Sequence, residues 1–147
     1  MRVLYPGGFD LLHHGHVNAL NTARSIAGPD GTLTVGVNTD RLMVAYKRRP
    51  HDTEDERVRS VTRLGIPPQV ILWDGPDGQG EQILAAEPDL YIAGTDWLSK
   101  DLAHQLRVPT LEWFDTNNIS LLYLRRTQGL STTQLTEQLK RASSGSC

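Results

Sequence analysis

The sequence predicts an α/β protein, a single doubly wound domain on a five-stranded parallel sheet. Three observations predict it. Short apolar runs alternate with stretches of helical spacing along the chain, and strand–helix–strand units of this kind give parallel strands with helices on both faces. The run Val70-Ile71-Leu72-Trp73 is apolar throughout, as in a strand covered on both faces. The first strand runs straight into a glycine-rich turn and a helix start, the place where such sheets bind ligands.

The elements follow in order. Val3 to Tyr5 is the first strand, and Gly15 to Ala27 the first helix, with Val17, Leu20, Ala23 and Ala27 at helical spacing. Gly28-Pro29-Asp30-Gly31 is a turn by its residue chemistry. Leu33 to Val37 is the second strand, and a basic segment, Lys47-Arg48-Arg49-Pro50, comes after it. Thr53 and Glu56 form a capping box for a helix that buries Val58, Val61 and Leu64, and Gly65 with Pro67-Pro68 stops it. Val70 to Trp73 is the third strand, Gly75 to Gly80 a loop, and Glu81 to Glu87 a short helix closed by Pro88. Leu90 to Ala93 is the fourth strand. Asp101 to Asn118 hold one or two short helices split at Pro109, and Ile119 to Leu124 is the fifth strand. A second capping box, Ser131 with Gln134, opens the last helix, with Leu130 and Leu135 as its hydrophobic staple.

Composition limits the function classes. The 147 residues suffice for one domain with one sizeable core, taken as residues 1–141 with a flexible tail at 142–147. A hydrophobic content of 38% and a charged content of 22% fit a globular chain. The net charge of −2 and a pI near 6.2 give no basic field for a nucleic acid polymer. The only cysteine, Cys147, excludes a disulfide framework and suits a cytoplasmic setting. No apolar run approaches the ~20 residues that span a bilayer, and no signal peptide is expected before the first strand.

Chemistry concentrates in a few stretches. Gly7-Gly8-Phe9-Asp10-Leu11-Leu12-His13-His14-Gly15-His16 sits between a strand and a helix. Its glycines allow close backbone approach to a ligand, and the helix N-terminus offers N–H groups and a positive dipole end suited to phosphate. His13 and His16, three apart, share a helix face. Asp10 either orders this turn or helps hold an acceptor. No Walker A loop and no G-x-G-x-x-G fingerprint occurs. Arg126-Thr127-Gln128-Gly129-Leu130-Ser131-Thr132-Thr133 supplies a guanidinium fork, a bendable glycine and a second helix start. Lys47 to Arg49 by themselves suit a basic surface loop. Gly94-Thr95-Asp96-Trp97-Leu98-Ser99-Lys100 follows the fourth strand, where a carboxylate acceptor suits the amino edge of cytosine or of adenine.

The first of these stretches resembles the H-x-G-H signature of the nucleotidyltransferase superfamily, with His13, Gly15 and His16 in its fixed positions. The stretch from Arg126 looks like the R-T-x-G-x-S-T signature of cytidylyltransferases, with Leu130 in place of the usual isoleucine. The stretch from Gly94 is similar to the Gly-x-Asp-Trp-x-x-Lys of the glycerol-3-phosphate cytidylyltransferase type. The resemblance implies the Rossmann-like fold of that superfamily. It implies catalytic roles for His13, His16, Lys47 and Arg126. Nucleotide contacts would come from Gly8, Phe9, Gly15, Arg48, Asp96, Thr127, Gly129, Ser131 and Thr132, and acceptor contacts from Asp10, Lys47, Arg57 and Trp97.

The expected reaction is transfer of CMP from CTP to glycerol 3-phosphate or a related alcohol phosphate, with Mg²⁺ on the triphosphate and a homodimer as the assembly. The alternatives are an adenylyltransferase of the same fold, echoed slightly by Tyr5-Pro6-Gly7, and a non-catalytic nucleotide-binding module. The chain departs from the resembled pattern at Gly8, often threonine or cysteine there, and at His14, often tryptophan. It also has no lysine in the Gly75–Gly80 loop, no Lys or Arg from Leu64 through Ser99, and extra residues near Trp113 to Asn117.

Overall fold

The computed structural model describes residues 1–46, 48–74, 79–125 and 127. It contains β1 (Arg2–Gly7), α1 (His14–Ala27), β2 (Thr32–Asn38), α2 (Asp40–Tyr46), α3 (Glu54–Arg63), β3 (Gln69–Trp73), α4 (Gly80–Ala86), β4 (Leu90–Gly94), a 3-10 turn (Thr95–Ser99), α5 (Leu102–Leu106), α6 (Glu112–Thr116) and β5 (Ser120–Leu124). The expected last helix and the 142–147 tail lie outside the described residues.

All four strand pairings are parallel, in the order β3-β2-β1-β4-β5. The chain winds outward from β1 to β3, then crosses back to β4, so the order reverses between β1 and β4. Loops leaving the two strands there part to opposite faces and open a crevice at their carboxyl ends. Side chains alternate across the sheet: Val3, Leu33, Val35, Val37 and Ile92 pack under α1 and α3, while Leu4, Tyr91 and Ala93 face Leu42, Ile83, Leu102, Leu106 and Phe114. Both faces are thus covered, as a doubly wound sheet requires.

Two expectations change. The apolar run 70–73 is not a strand covered throughout: β3 is the sheet edge, and Leu72 is 43% exposed. Trp73 is fully buried, Ile71 packs in the same core and Val70 against the core of the other face, so the run is covered except at Leu72. The second change is α2, which sequence patterning left unassigned between β2 and the basic segment. Thr39 Oγ1 accepts the Leu42 N–H at 3.2 Å, as a helix cap does, and Leu42 and Met43 fill the core. The residues that depart from the resembled pattern near Trp113 build α6, whose Phe114 packs on Tyr91 with ring centroids 5.2 Å apart.

One buried cation ties the strand ends together. Arg57 is fully buried at the start of α3. Its Nε donates to the Asp52 carbonyl at 3.0 Å, and Nη1 donates to the carbonyls of Gly8 at 2.8 Å and Asn38 at 2.6 Å. Nη2 pairs with the Asp40 carboxylate at 2.7 Å. Removing such a charge strands its buried acceptors. Arg57→Met should therefore destabilise the fold by about 3–5 kcal/mol, read as a lowered urea midpoint; a loss under about 1 kcal/mol would show that the network is replaceable.

Candidate active site

The crevice at the β1/β4 reversal is an open cleft of about 250 Å³. Four loops converge on it: the end of β1 with the following turn (Tyr5 to Phe9, His13, Gly15, His16), the end of β2 (Asn38), the end of β4 with its 3-10 turn (Gly94, Asp96, Trp97), and the segment after β5 (Arg125, Thr127). The sequence stretches separated most widely along the chain therefore share one wall. Asn18 of α1 donates to Thr127 Oγ1 at 3.2 Å, which fastens the segment after β5 to the first helix.

The turn of 7–16 is built by unusual local chemistry. His13 is the N-cap of α1: its Nδ1 accepts the Gly15 N–H at 3.0 Å. His16, at N3, returns the bond, its Nδ1 accepting the His13 N–H at 3.2 Å. This is a capping box made of imidazoles, satisfying two N–H groups at the helix start. The two rings stack with centroids 4.0 Å apart and an interplanar angle of 26°. Because each Nδ1 accepts, the ring proton sits on Nε2, so both histidines are donors on the other side of the ring. Burial lowers the pKa of His13, which keeps it neutral at neutral pH.

Phe9 supports the pair from beneath, tilted against His16 with centroids 5.6 Å apart. Its backbone takes a left-handed φ of 53°, and Leu11 one of 48°. Such torsions cost L-residues of order 1 kcal/mol each and mark a turn over-determined by its surroundings. Gly8 fits the packing: a Cβ there would lie 3.0 Å from Met43 Cε, so the methionine occupies the room a larger residue would need. His14, exposed at the first helical position, faces solvent.

Asp10 orders the turn. It is 2% exposed and accepts from the His51 N–H at 2.9 Å, the Asp52 N–H at 3.0 Å and Arg48 Nη1 at 3.0 Å. Burial alone would raise its pKa, but these bonds and the guanidinium charge outweigh it and hold the carboxyl below the ordinary value of 3.8. Of the two roles expected for Asp10, the geometry supports ordering the turn over touching an acceptor. Arg57 is corrected likewise: a fully buried guanidinium engaged with four acceptors acts as a positioning residue and is not exposed to an acceptor. Arg48 turns its guanidinium to Asp10 and does not line the cleft, although its Nη2 is buried with no hydrogen-bond partner among the described residues.

Gly8, Phe9, Gly15, Asp96, Trp97 and Thr127 all line the cleft. Asp96 bends back over its own strand end: a Cβ at Gly94 would lie 2.5 Å from Asp96 Oδ1, so a side chain there would displace the carboxylate. Lys100 Nζ lies 3.7 Å from Asp96 Oδ2 and 5.5 Å over the Trp97 ring. Lys47, Arg126, Gly129, Ser131 and Thr132 lie outside the described residues, but both neighbours of Arg126, Arg125 and Thr127, line the cleft.

Sequence reasoning left Tyr5, Asn38, Gln79, Lys100, Gln105 and Arg125 out of the site, and all six line it. Lys100 ends the very stretch that names Asp96 and Trp97, so its spacing was a usable signal. Gln79 carries no signal in the sequence. Its Oε1 accepts the buried Trp73 indole at 2.6 Å, a contact that only folding creates. Among the described residues no group of three or more His, Cys, Asp or Glu is placed to hold a metal ion, and no helix is long and apolar enough to cross a membrane.

Two pH effects follow. The Asp10 contribution to stability is fully present above the ordinary carboxylate range and is lost as pH falls below 3.8 through its lower folded value. Asp10→Asn should cost about 1–3 kcal/mol at pH 7 and flatten that acid limb in urea titrations; an unchanged limb would assign it to other carboxylates. Protonating His13 removes the acceptor for the Gly15 N–H. Activity should therefore be level above the ordinary imidazole value of 6.5 and decline only below it, in a pH–rate profile; a midpoint above 6.5 would contradict a neutral His13.

Comparison with known proteins agrees with this geometry. The model of the Cytidylyltransferase-like family matches residues 4–138. A FAD synthase of Methanopyrus kandleri is 40% identical over 95 residues, covering 65% of this chain and 63% of that protein. A glycerol-3-phosphate cytidylyltransferase of Bacillus subtilis is 25% identical over 140 residues, covering 94% of this chain and 96% of that one. Among solved structures, a lipopolysaccharide core biosynthesis protein from Thermoplasma volcanium shares the fold with a TM-score of 0.66 at 23% identity, covering 86% of this chain and 96% of its own. A parallel five-stranded sheet, a histidine-capped helix at its β1 turn, and a family match across nearly the whole chain place this protein among the cytidylyltransferase-like nucleotidyltransferases.

Proposed function

We propose that the protein transfers CMP from CTP to a small phosphorylated alcohol, glycerol 3-phosphate or a related polyol phosphate, releasing pyrophosphate and forming a CDP-alcohol. The observation that carries this reading is the pair of Nε2 donors at the α1 N-terminus, set on the cleft that both neighbours of Arg126 also line. The similarity to a glycerol-3-phosphate cytidylyltransferase along 94% of the chain supports the choice of nucleotide and acceptor. The assembly would be a homodimer, as the resembled enzymes imply.

In this reaction an acceptor phosphate oxygen attacks the α-phosphorus in line. The bond from the α-phosphorus to its bridging oxygen breaks, and pyrophosphate carries that electron pair away. A phosphate monoester is already ionised at neutral pH, so the site needs no general base. Its task is to align the two phosphates and to hold the charge that grows on the α-phosphate and bridging oxygens. His13 and His16 donate from Nε2, and the helix N-terminus adds its dipole. Lys47 and Arg126 would complete the cationic frame. The donors of the cleft, imidazole N–H and ammonium groups, fit phosphate oxygens rather than a bare cation. Mg²⁺ would therefore enter on the triphosphate, keeping several waters and neutralising its charge.

A second reading is adenylyl transfer from ATP to a phosphate-bearing cofactor precursor. The 40% identity to a FAD synthase favours it, and in that case the acceptor would be a flavin phosphate. A panel of four nucleoside triphosphates against glycerol 3-phosphate, flavin mononucleotide and sugar phosphates, read by mass spectrometry, separates the two. Pyrophosphate release only with CTP and an alcohol phosphate supports the first; release only with ATP supports the second. His16→Ala and Arg126→Ala should each slow turnover by about 10²–10³-fold. Near-normal rates in both variants would remove the assignment.

A further inference from the structure

We infer that Asn18, a residue of α1 outside both signature stretches, is a positioning residue for the triphosphate: its amide holds the Thr127 hydroxyl so that the hydroxyl hydrogen goes to a phosphate oxygen. The inference rests on the nucleotide-transfer reading above and deepens it, because it names what aligns the two ends of the chain over one ligand.

Asn18 stands two residues beyond His16 on α1 and is exposed. Thr127 stands three residues past Leu124, the end of β5. Asn18 Nδ2 donates to Thr127 Oγ1 at 3.2 Å, a contact that spans 109 positions of sequence. Thr127 and Ala19, the residue after Asn18, line the cleft; Asn18 itself is not part of the wall. Asn18 therefore acts on a bound ligand through Thr127.

The direction of that bond decides what the hydroxyl can do. A threonine hydroxyl has one hydrogen to give and an oxygen that accepts. The Asn18 N–H engages the oxygen and leaves the hydrogen for another acceptor, at the wall where Thr127 sits. A phosphate oxygen can only accept, so it matches a hydroxyl fixed in this sense. A hydroxyl without the anchor rotates and spends part of its time turning lone pairs toward the phosphate, and fixing it beforehand removes that loss. The imidazoles across the cleft follow the same logic: a bond on one side of the group sets which side donates. The bond also joins the residue that follows Arg126 to the helix that carries His16.

Because the bond is exposed and alanine is a strong helix former, Asn18→Ala should fold as the wild type does. The test is steady-state kinetics with whichever triphosphate and acceptor the wild type turns over, CTP with glycerol 3-phosphate or ATP with flavin mononucleotide. Asn18→Ala should lower kcat/KM for the triphosphate about 10-fold and leave KM for the acceptor unchanged. Asn18→Asp offers only acceptors and takes the Thr127 hydrogen for itself, so it should lose about 10²-fold. In a Thr127→Val background, Asn18→Ala should cost nothing further, because the two residues act as one. Wild-type kinetics in Asn18→Ala, an Asn18→Asp no worse than Asn18→Ala, or an undiminished loss in the Thr127→Val background overturns the inference while nucleotide transfer stands. A wild type that turns over no triphosphate with any acceptor overturns both. Thermal melts of the Asn18 variants should match the wild type; should one fall, the comparison within the Thr127→Val background still decides.

Discussion

The site depends on a reciprocal pair of hydrogen bonds between two imidazoles and the backbone. His13 and His16 each use Nδ1 to accept an N–H at the start of α1. That one arrangement begins the helix, sets the tautomer of both rings and turns both Nε2–H groups the same way. Serine or aspartate would cap the helix equally well. Neither would leave a second donor pointing away from the helix. The cap and the candidate catalytic groups are the same atoms, so the local fold and the chemistry cannot be changed separately here.

Around this pair, buried charge holds loops that have little apolar surface of their own. Arg57 joins the turn after β1, the end of β2 and the start of α2, and Asp10 ties the same turn to residues 48–52. Buried ions are costly to desolvate, and they persist where every polar atom finds a partner. Arg57 and Asp10 meet that condition almost wholly through backbone groups, which fixes loop positions directly. The 48–52 segment is thereby docked beside the opening turn, so the chain next to Lys47 is anchored near the cleft.

The cleft is chemically divided. Beside α1 it presents donors suited to phosphate oxygens. Beside β4 it presents a carboxylate with a lysine and an indole near it. Between the two, Tyr5 and Phe9 form an aromatic bridge from the strand to the histidines.

The sequence by itself determined the class of fold, the strand-to-helix turn at 7–16, the Thr53 cap and the short helices on either side of Pro109. These rest on local signals: periodicity, capping residues and proline act within a few residues of chain. Motif spacing likewise singled out His13, His16 and Asp96, which the fold brings to one cleft. Tertiary structure decided what local signals do not encode. It made β3 an edge strand although its run is apolar: Val70 packs on one core, Ile71 and Trp73 on the other, and Leu72 is left exposed. It took Arg57 into the interior, because acceptors from three separate loops converge on it. It brought Tyr5 and Asp96, two residues 91 positions apart, to one cleft, because β1 and β4 lie side by side where the sheet order reverses. Partnerships between distant residues depend on which strands become neighbours, and that is settled by the packing of the whole sheet.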